Sequence, residues 1–231
     1  MRLVRQAWLL ARNDLKQELR NFELVVTAGF FTLVVLVMFA LAFTNLDDDL
    51  QTRAVPGLLW LSVAFVGALT LTRVFDRERE ADTLTAILAA PVERLSIYLA
   101  KTGVTLVVLL LCGLILVPGL WFLFPAAGAF MDAPHLTLGL LVTGCLGYAG
   151  VGTIFAAGLA TSSGKNVLLS VVLYPLTTPV LLVALVATRR LLEGHPDTGG
   201  TLAQMAALDV VLLIVGGFVF ESVLVGTRRS E

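Results

Sequence analysis

Residues 24–43 read LVVTAGFFTLVVLVMFALAF, twenty consecutive positions without an ionisable side chain. A helix that crosses the hydrocarbon core of a bilayer needs about 20 predominantly apolar residues, because it rises about 1.5 Å per residue through a core about 30 Å thick. The run is continuous, whereas a membrane barrel strand alternates apolar and polar positions. In lipid the backbone must satisfy its own polar groups, and a helix does so within one segment. This stretch is therefore a membrane-spanning helix.

The same signal recurs along the chain. Spans are expected at about 23–44, 54–74, 102–124, 136–161, 167–188 and 202–225, the last interrupted by Asp209 and Glu221. Hydrophobic residues make up 58% of the chain and charged residues 14%, where soluble domains carry about 25% charge. Spans and short connections use up the 231 residues, so residues 1–231 are expected to form a single transmembrane domain. The fold class is all-α integral membrane protein with six transmembrane helices. Residues 1–21 are charged throughout and lack the apolar centre of a cleavable signal, so none is expected. Cys112 and Cys145 both lie inside apolar runs and read as small hydrophobes between helices, not as a redox or zinc pair.

The sixteen Lys and Arg residues orient the spans. Arg2, Arg5, Arg12, Lys16 and Arg20 precede span one, and Arg73, Arg77, Arg79, Arg94 and Lys101 fall between spans two and three. Lys165 follows span four, and Arg228 and Arg229 lie beyond span six. These thirteen share one side, and only Arg53, Arg189 and Arg190 fall on the other. Basic residues near span ends stay in the cytoplasm. Both termini are thus expected in the cytoplasm, in a bacterial-type inner membrane. A net charge of −1 offers no basic surface to nucleic acid.

Two cytoplasmic pieces carry patterns of their own. Over residues 1–22, Val4, Trp8, Ala11, Leu15, Leu19 and Phe22 recur at helical spacing, with Arg5, Arg12, Lys16 and Arg20 largely off that stripe. An amphipathic, basic helix of this kind lies flat in the headgroup region. The cytoplasmic coupling segment 76–100 opens with a charge cluster running from Asp76 to Glu80. Asp82 or Thr83 then caps a short helix that exposes Leu84, Ile87 and Leu88, and Pro91 stops it. A piece too small for its own core presents such residues to a partner's groove. Glu80, Asp82, Leu84, Ile87, Leu88 and Pro91 are the candidate docking residues.

Catalytic chemistry finds little support. Gly158 and Gly164 precede Lys165, but five residues separate the glycines where a phosphate-binding loop needs four, and Asn166 stands where Ser or Thr would ligate magnesium. Any ATP is expected on another chain. His135 and His195 fall in outer connections, so neither activates an intramembrane nucleophile, and neither setting suits a rigid haem site. No bound cofactor or metal is expected on this chain, and no catalytic residue is assigned.

Ionisable residues inside spans default to functional hypotheses. Glu23 opens span one, and Glu221 is placed to pair with Arg228, seven residues on. Asp209, a turn or two from the outer surface, is the stronger candidate for a transport role. Pro175 and Pro179 each remove a helix hydrogen bond and are expected to kink span five near its middle, a candidate gating feature. Span four holds Gly139, Thr143, Gly147, Gly152, Ala156 and Ala160, small residues that allow close helix approach.

A flat N-terminal helix, six spans and a short helix between spans two and three resemble the exporter-type (ABC-2-like) permeases of ABC transporters. Within that group the chain is most similar to the CcmB family, the permease of the cytochrome c maturation (haem exporter) system. The likeness is carried by Pro56-Gly57-Leu58-Leu59-Trp60 opening span two and Arg73-Val74-Phe75-Asp76-Arg77-Glu78 closing it. Asp82-Thr83-Leu84 with Pro91, and Pro175-Leu176-Thr177-Thr178-Pro179 in span five, extend it. The resemblance implies a non-catalytic subunit that couples ATP hydrolysis by a separate CcmA-like ATPase to haem export, or to release of a haem-loaded chaperone, in c-type cytochrome biogenesis. It also implies CcmC-like and CcmD-like membrane partners, with haem as cargo of the complex. The tryptophan-rich haem-binding segment of CcmC-like proteins has no counterpart, since Trp8, Trp60 and Trp121 are scattered. The chain therefore reads as a force-transmitting subunit. Competing readings are a permease of the same architecture for lipid, polysaccharide or drug, and a scaffold without an ATPase.

The charge asymmetry yields a direct topology test. Cysteines introduced at Asp48, Asp132 and Asp197 should react with an impermeant thiol reagent in intact cells, and cysteines at Glu93 and Ser230 should not. The opposite pattern would invert the topology.

Overall fold

The computed structural model describes residues 2–21, 23–43, 47–75, 92–160 and 167–226. The N-terminal helix α1 is Arg2–Asn21. Spans one to three are α2 (Glu23–Phe43), α3 (Asp48–Arg73) and α4 (Arg94–Leu123). A 3-10 turn, Pro125–Ala127, and the short helix α5 (Ala129–Asp132) lead to span four, α6 (Pro134–Ala160). Spans five and six are α7 (Val167–Leu192) and α8 (Thr198–Gly226). Six of these helices are long and apolar enough to cross a membrane, and the described residues contain no strand.

The helices overrun the apolar stretches that reveal them. Span two begins at Asp48, six residues before its uncharged run, and an i,i+4 ion pair of 3.1 Å between Arg53 and Asp49 supports its first turns. Span three begins at Arg94, so Lys101 lies inside the helix and not in a loop. Hydrophobicity marks the part of a helix in hydrocarbon, while backbone hydrogen bonding continues through the headgroup zone. Span five ends where Gly194 takes a left-handed φ of 67°. His195 N–H then donates to the Arg190 carbonyl at 2.9 Å and Gly194 N–H to that of Leu191 at 3.1 Å, which closes the helix end.

Span four is the most buried of the six and packs against spans two, three, five and six. Lipid tails are as apolar as a protein core, so spans associate through close fit and interhelical hydrogen bonds. Both devices act together here. Gly144 receives the indole of Trp60, Gly67 the ring of Tyr148, Gly152 the side chain of Leu71 and Gly216 the ring of Tyr98; a Cβ at any of these would collide with its guest. The aromatic tips then bond across the gap. Trp60 Nε1 donates to Thr188 Oγ1 at 2.8 Å, Tyr148 to the Ala64 carbonyl at 2.9 Å, and Tyr98 to the Gly150 carbonyl at 3.0 Å. The expected small-residue face of span four is thus present at Gly139, Gly147 and Gly152, but neighbouring side chains, not backbones, fill its gaps: Leu202, Asp209 and Leu71.

The N-terminal helix has three sectors. Leu3, Gln6, Leu10, Asp14 and Glu18 turn toward the protein, with α1 lying mainly against span three. Val4 and Trp8 are left exposed on a second sector, and Arg5, Arg12, Lys16 and Arg20 on a third. The apolar stripe read from the sequence is therefore not the face that docks on the spans. Spans one and six are the least buried, leaving Phe30, Val37 and Leu41 on one and Val211, Ile214 and Phe218 on the other for lipid.

Filling a glycine socket should be costly where filling an open glycine is not. Gly144→Val should destabilise the protein by about 1–3 kcal/mol through overpacking against Trp60. Gly103 has nothing within 4 Å of its Cβ position, so Gly103→Ala should be neutral or gain up to about 1 kcal/mol of helix propensity. Reversible unfolding in detergent reads the contrast; equal behaviour of the two variants would show that the sockets do not carry the packing.

Candidate functional site

The candidate docking residues Glu80, Asp82, Leu84, Ile87, Leu88 and Pro91 lie outside the described residues. Both roots of that connection are described, however. The chain leaves span two through Val74 and Phe75 and rejoins span three through Val92 and Glu93.

The first root is held by a buried cation. Val74 is the C-cap of span two, and carbonyls at a helix end lack intrahelical donors. Lys101 Nζ, on span three, donates to the Val74 carbonyl at 3.1 Å and lies 3.0 Å from Asp14 Oδ2 on α1. Its ammonium also stands 5.3 Å from the centroid of the Phe75 ring. At the second root, Gln6 Oε1 accepts hydrogen bonds from Glu93 N–H at 3.3 Å and from Ser96 Oγ at 3.1 Å. Gln6, Leu10 and Asp14 are spaced four apart on one face of α1, and Leu10 packs on the core between the two polar anchors.

The same end of the bundle is laced further. Glu18 Oε1 accepts from Leu24 N–H at 2.9 Å, which satisfies one of the free donors at the start of span one. Glu23, a transport candidate in the sequence, pairs with Arg73 at 2.6 Å and joins spans one and two. Glu221 lies 3.5 Å from Arg94 of span three, while Arg228, its expected partner, is outside the described residues.

A second site lies inside the bundle. Span six starts at Thr198, so Asp209 is eleven residues and about 16 Å along the helix. Asp209 is 3% exposed and occupies the gap left by Gly147 on span four, beside Val180 on span five. A Cβ at Gly147 would stand 2.5 Å from Asp209 Oδ1 and 2.7 Å from Val180 Cγ1. Asp209 Oδ2 accepts no hydrogen bond among the described residues. Acidic groups inside spans are expensive and mark pathways or relays.

Pro175 and Pro179 both lie within the continuous helix of span five, and both are exposed. They sit on the outside of the bundle and do not line the Asp209 junction. His135 is exposed in the first turn of span four, not in a loop, because that helix begins at Pro134; His195 is exposed after span five. No three His, Cys, Asp or Glu side chains gather as a metal site among the described residues.

Sequence reasoning missed Lys101, which it counted among loop charges, and the aromatic bonds of Trp60, Tyr98 and Tyr148. For Lys101 a signal existed. Asp14 and Glu18 fall on the opposite side of α1 from Arg5, Arg12 and Lys16, which implies a cationic partner on the docked face.

The geometry defines a polytopic α-helical membrane protein: a six-span bundle with an amphipathic N-terminal helix laced to the connection between spans two and three. The family model described as "CcmB protein" matches residues 5–225, and the chain belongs to that family. Heme exporter protein B of Bradyrhizobium diazoefficiens is 29% identical over 215 residues, covering 90% of this chain and 92% of the relative. Heme exporter protein B of Escherichia coli (strain K12) is 29% identical over 208 residues, covering 87% and 89%.

Proposed function

We propose that this chain is the membrane-spanning permease subunit of an ABC transporter that exports haem. The observation that carries the reading is the family match over residues 5–225, on a chain with six apolar spans. The chain is a transport subunit, and ATP is hydrolysed by a separate CcmA-like subunit. The sequence supports that division, because its one Gly-rich run ahead of a Lys has the wrong spacing for phosphate.

Within this proposal the protein lies in a bacterial inner membrane with both termini and the 76–100 connection in the cytoplasm. The ATPase docks on Glu80, Asp82, Leu84, Ile87, Leu88 and Pro91. The exposed Val4 and Trp8 of α1 rest in the headgroup region, with Arg5, Arg12 and Lys16 toward anionic lipid. CcmC-like and CcmD-like subunits complete the complex, which releases haem or a haem-loaded chaperone for c-type cytochrome biogenesis. Haem is cargo and is held chiefly by a partner. The histidines support this assignment, since His135 and His195 are both exposed and lie at the ends of different spans.

Force then follows the covalent chain. Movement of the docked segment displaces the ends of spans two and three, and the aromatic bonds of Trp60, Tyr98 and Tyr148 pass that displacement to spans four and five. Asp209 is the proposed transport or gating residue, because its burial depends on spans four, five and six staying closed around the Gly147 gap. Pro175 and Pro179 weaken the hydrogen bonding of span five and let it bend in the cycle.

Combined Leu84→Asp and Leu88→Asp substitutions test the coupling. Placing two charges in an apolar groove costs several kcal/mol, so the ATPase should be lost from the purified complex and c-type cytochrome formation should fail, while the chain still inserts in the membrane. An ATPase that co-purifies in normal amount would move the docking site elsewhere. Normal c-type cytochrome formation in cells lacking the chain would overturn haem export itself.

A further inference from the structure

We propose that α1 is a brace joining the two roots of the 76–91 connection, with Lys101 as its positioning residue, so that α1 and the cytoplasmic ends of spans two and three move as one body. The proposal rests on the reading that the ATPase acts through this connection.

Three elements meet at Lys101. It belongs to span three, donates to the last carbonyl of span two at Val74, and pairs with Asp14 of α1. Two turns earlier on the same face of α1, Gln6 holds Glu93 and Ser96 at the start of span three. The anchors on α1 are eight residues and about 12 Å apart, so one rigid helix holds the start of span three at two points and reaches the end of span two through Lys101. The side chains of Lys101 and Asp14 are 8% and 26% exposed. The neighbouring pairs Arg73–Glu23 and Arg94–Glu221 are far more open to solvent, and exposed pairs of that kind contribute little. A buried pair behaves differently, because removing one partner strands the other charge away from water. The Lys101 cation also opposes the negative end of the span-two helix, so its charge serves two elements at once.

Such a brace changes what the connection can do. Spans two and three pack on each other in the bundle, and at the connection Lys101 bridges their ends directly. Held by α1, they shift together, and the exposed apolar and basic sectors of α1 set that motion against the membrane surface.

The test uses the complex purified with its ATPase and returned to lipid. Lys101→Met should leave the ATPase bound and its hydrolysis within about twofold of wild type, while haem exported per ATP falls about tenfold, a size typical of coupling between sites. Lys101→Arg keeps the charge and donors and should restore most of that ratio. An unchanged ratio in Lys101→Met, or equal losses of hydrolysis and export, overturns the brace. A second arm avoids variants that fail to fold. Cysteines at Gln6 and Ser96, with Cys112 and Cys145 replaced by Ala, are joined in cells by a short membrane-permeant bis-maleimide. Continued formation of c-type cytochrome supports one-body motion, and a block after crosslinking shows that the two parts separate in the cycle and ends the proposal. This arm reads export alone, so it decides the brace even where absence of an ATPase from the wild-type complex has removed the docking reading.

Discussion

One side chain joins three spans: Trp60 of span two fills the space over Gly144 of span four and donates its indole N–H to Thr188 of span five. In water such an aromatic would be driven inside by burial alone. In a bilayer it gains little from leaving lipid, so its position depends on fit to the glycine and on a hydrogen bond that hydrocarbon cannot replace. Tyr148 repeats the device in the other direction, reaching from span four over Gly67 to the Ala64 carbonyl. Tyr98 adds span three through the Gly150 carbonyl and span six through Gly216 and Phe220. Span four is thereby fixed by its neighbours, and the rest of the bundle is arranged around it.

The Asp209 site inherits that constraint. Gly147 lies three residues beyond Gly144 on the same helix, and the gap it leaves is the one Asp209 enters. A shift of span four large enough to free Trp60 would also open or close the space around Asp209. At the other pole, Lys101, Asp14 and Gln6 tie the connection's roots to α1. In the proposed transporter these are the two ends of one mechanical path, the cytoplasmic lacing receiving a displacement and the span-four sockets delivering it to spans five and six.

Uncharged runs made the six spans legible in the sequence. Helix ends were less so. Span three carries Arg94 and Lys101 inside its helix, and span six begins four residues before its expected start, because helical hydrogen bonding outlasts the hydrophobic stretch. That difference hid Lys101 among loop charges. The small residues of span four announced close packing, yet periodicity on one helix cannot name the guest from another, so Trp60, Leu71 and Asp209 were found only in three dimensions. Glu23 illustrates a different limit: a lone acid at a span end looks available until its partner, Arg73, fifty residues away, is seen beside it.

The central claim is that this chain is a permease driven by another subunit. It is tested most directly by purifying the tagged chain in mild detergent from membranes of cells making c-type cytochromes, and identifying what accompanies it. The account predicts a stoichiometric chain with an intact phosphate-binding loop that hydrolyses ATP, together with a membrane subunit that carries the haem. A chain that supports c-type cytochrome formation yet purifies with no nucleotide-hydrolysing partner would contradict it.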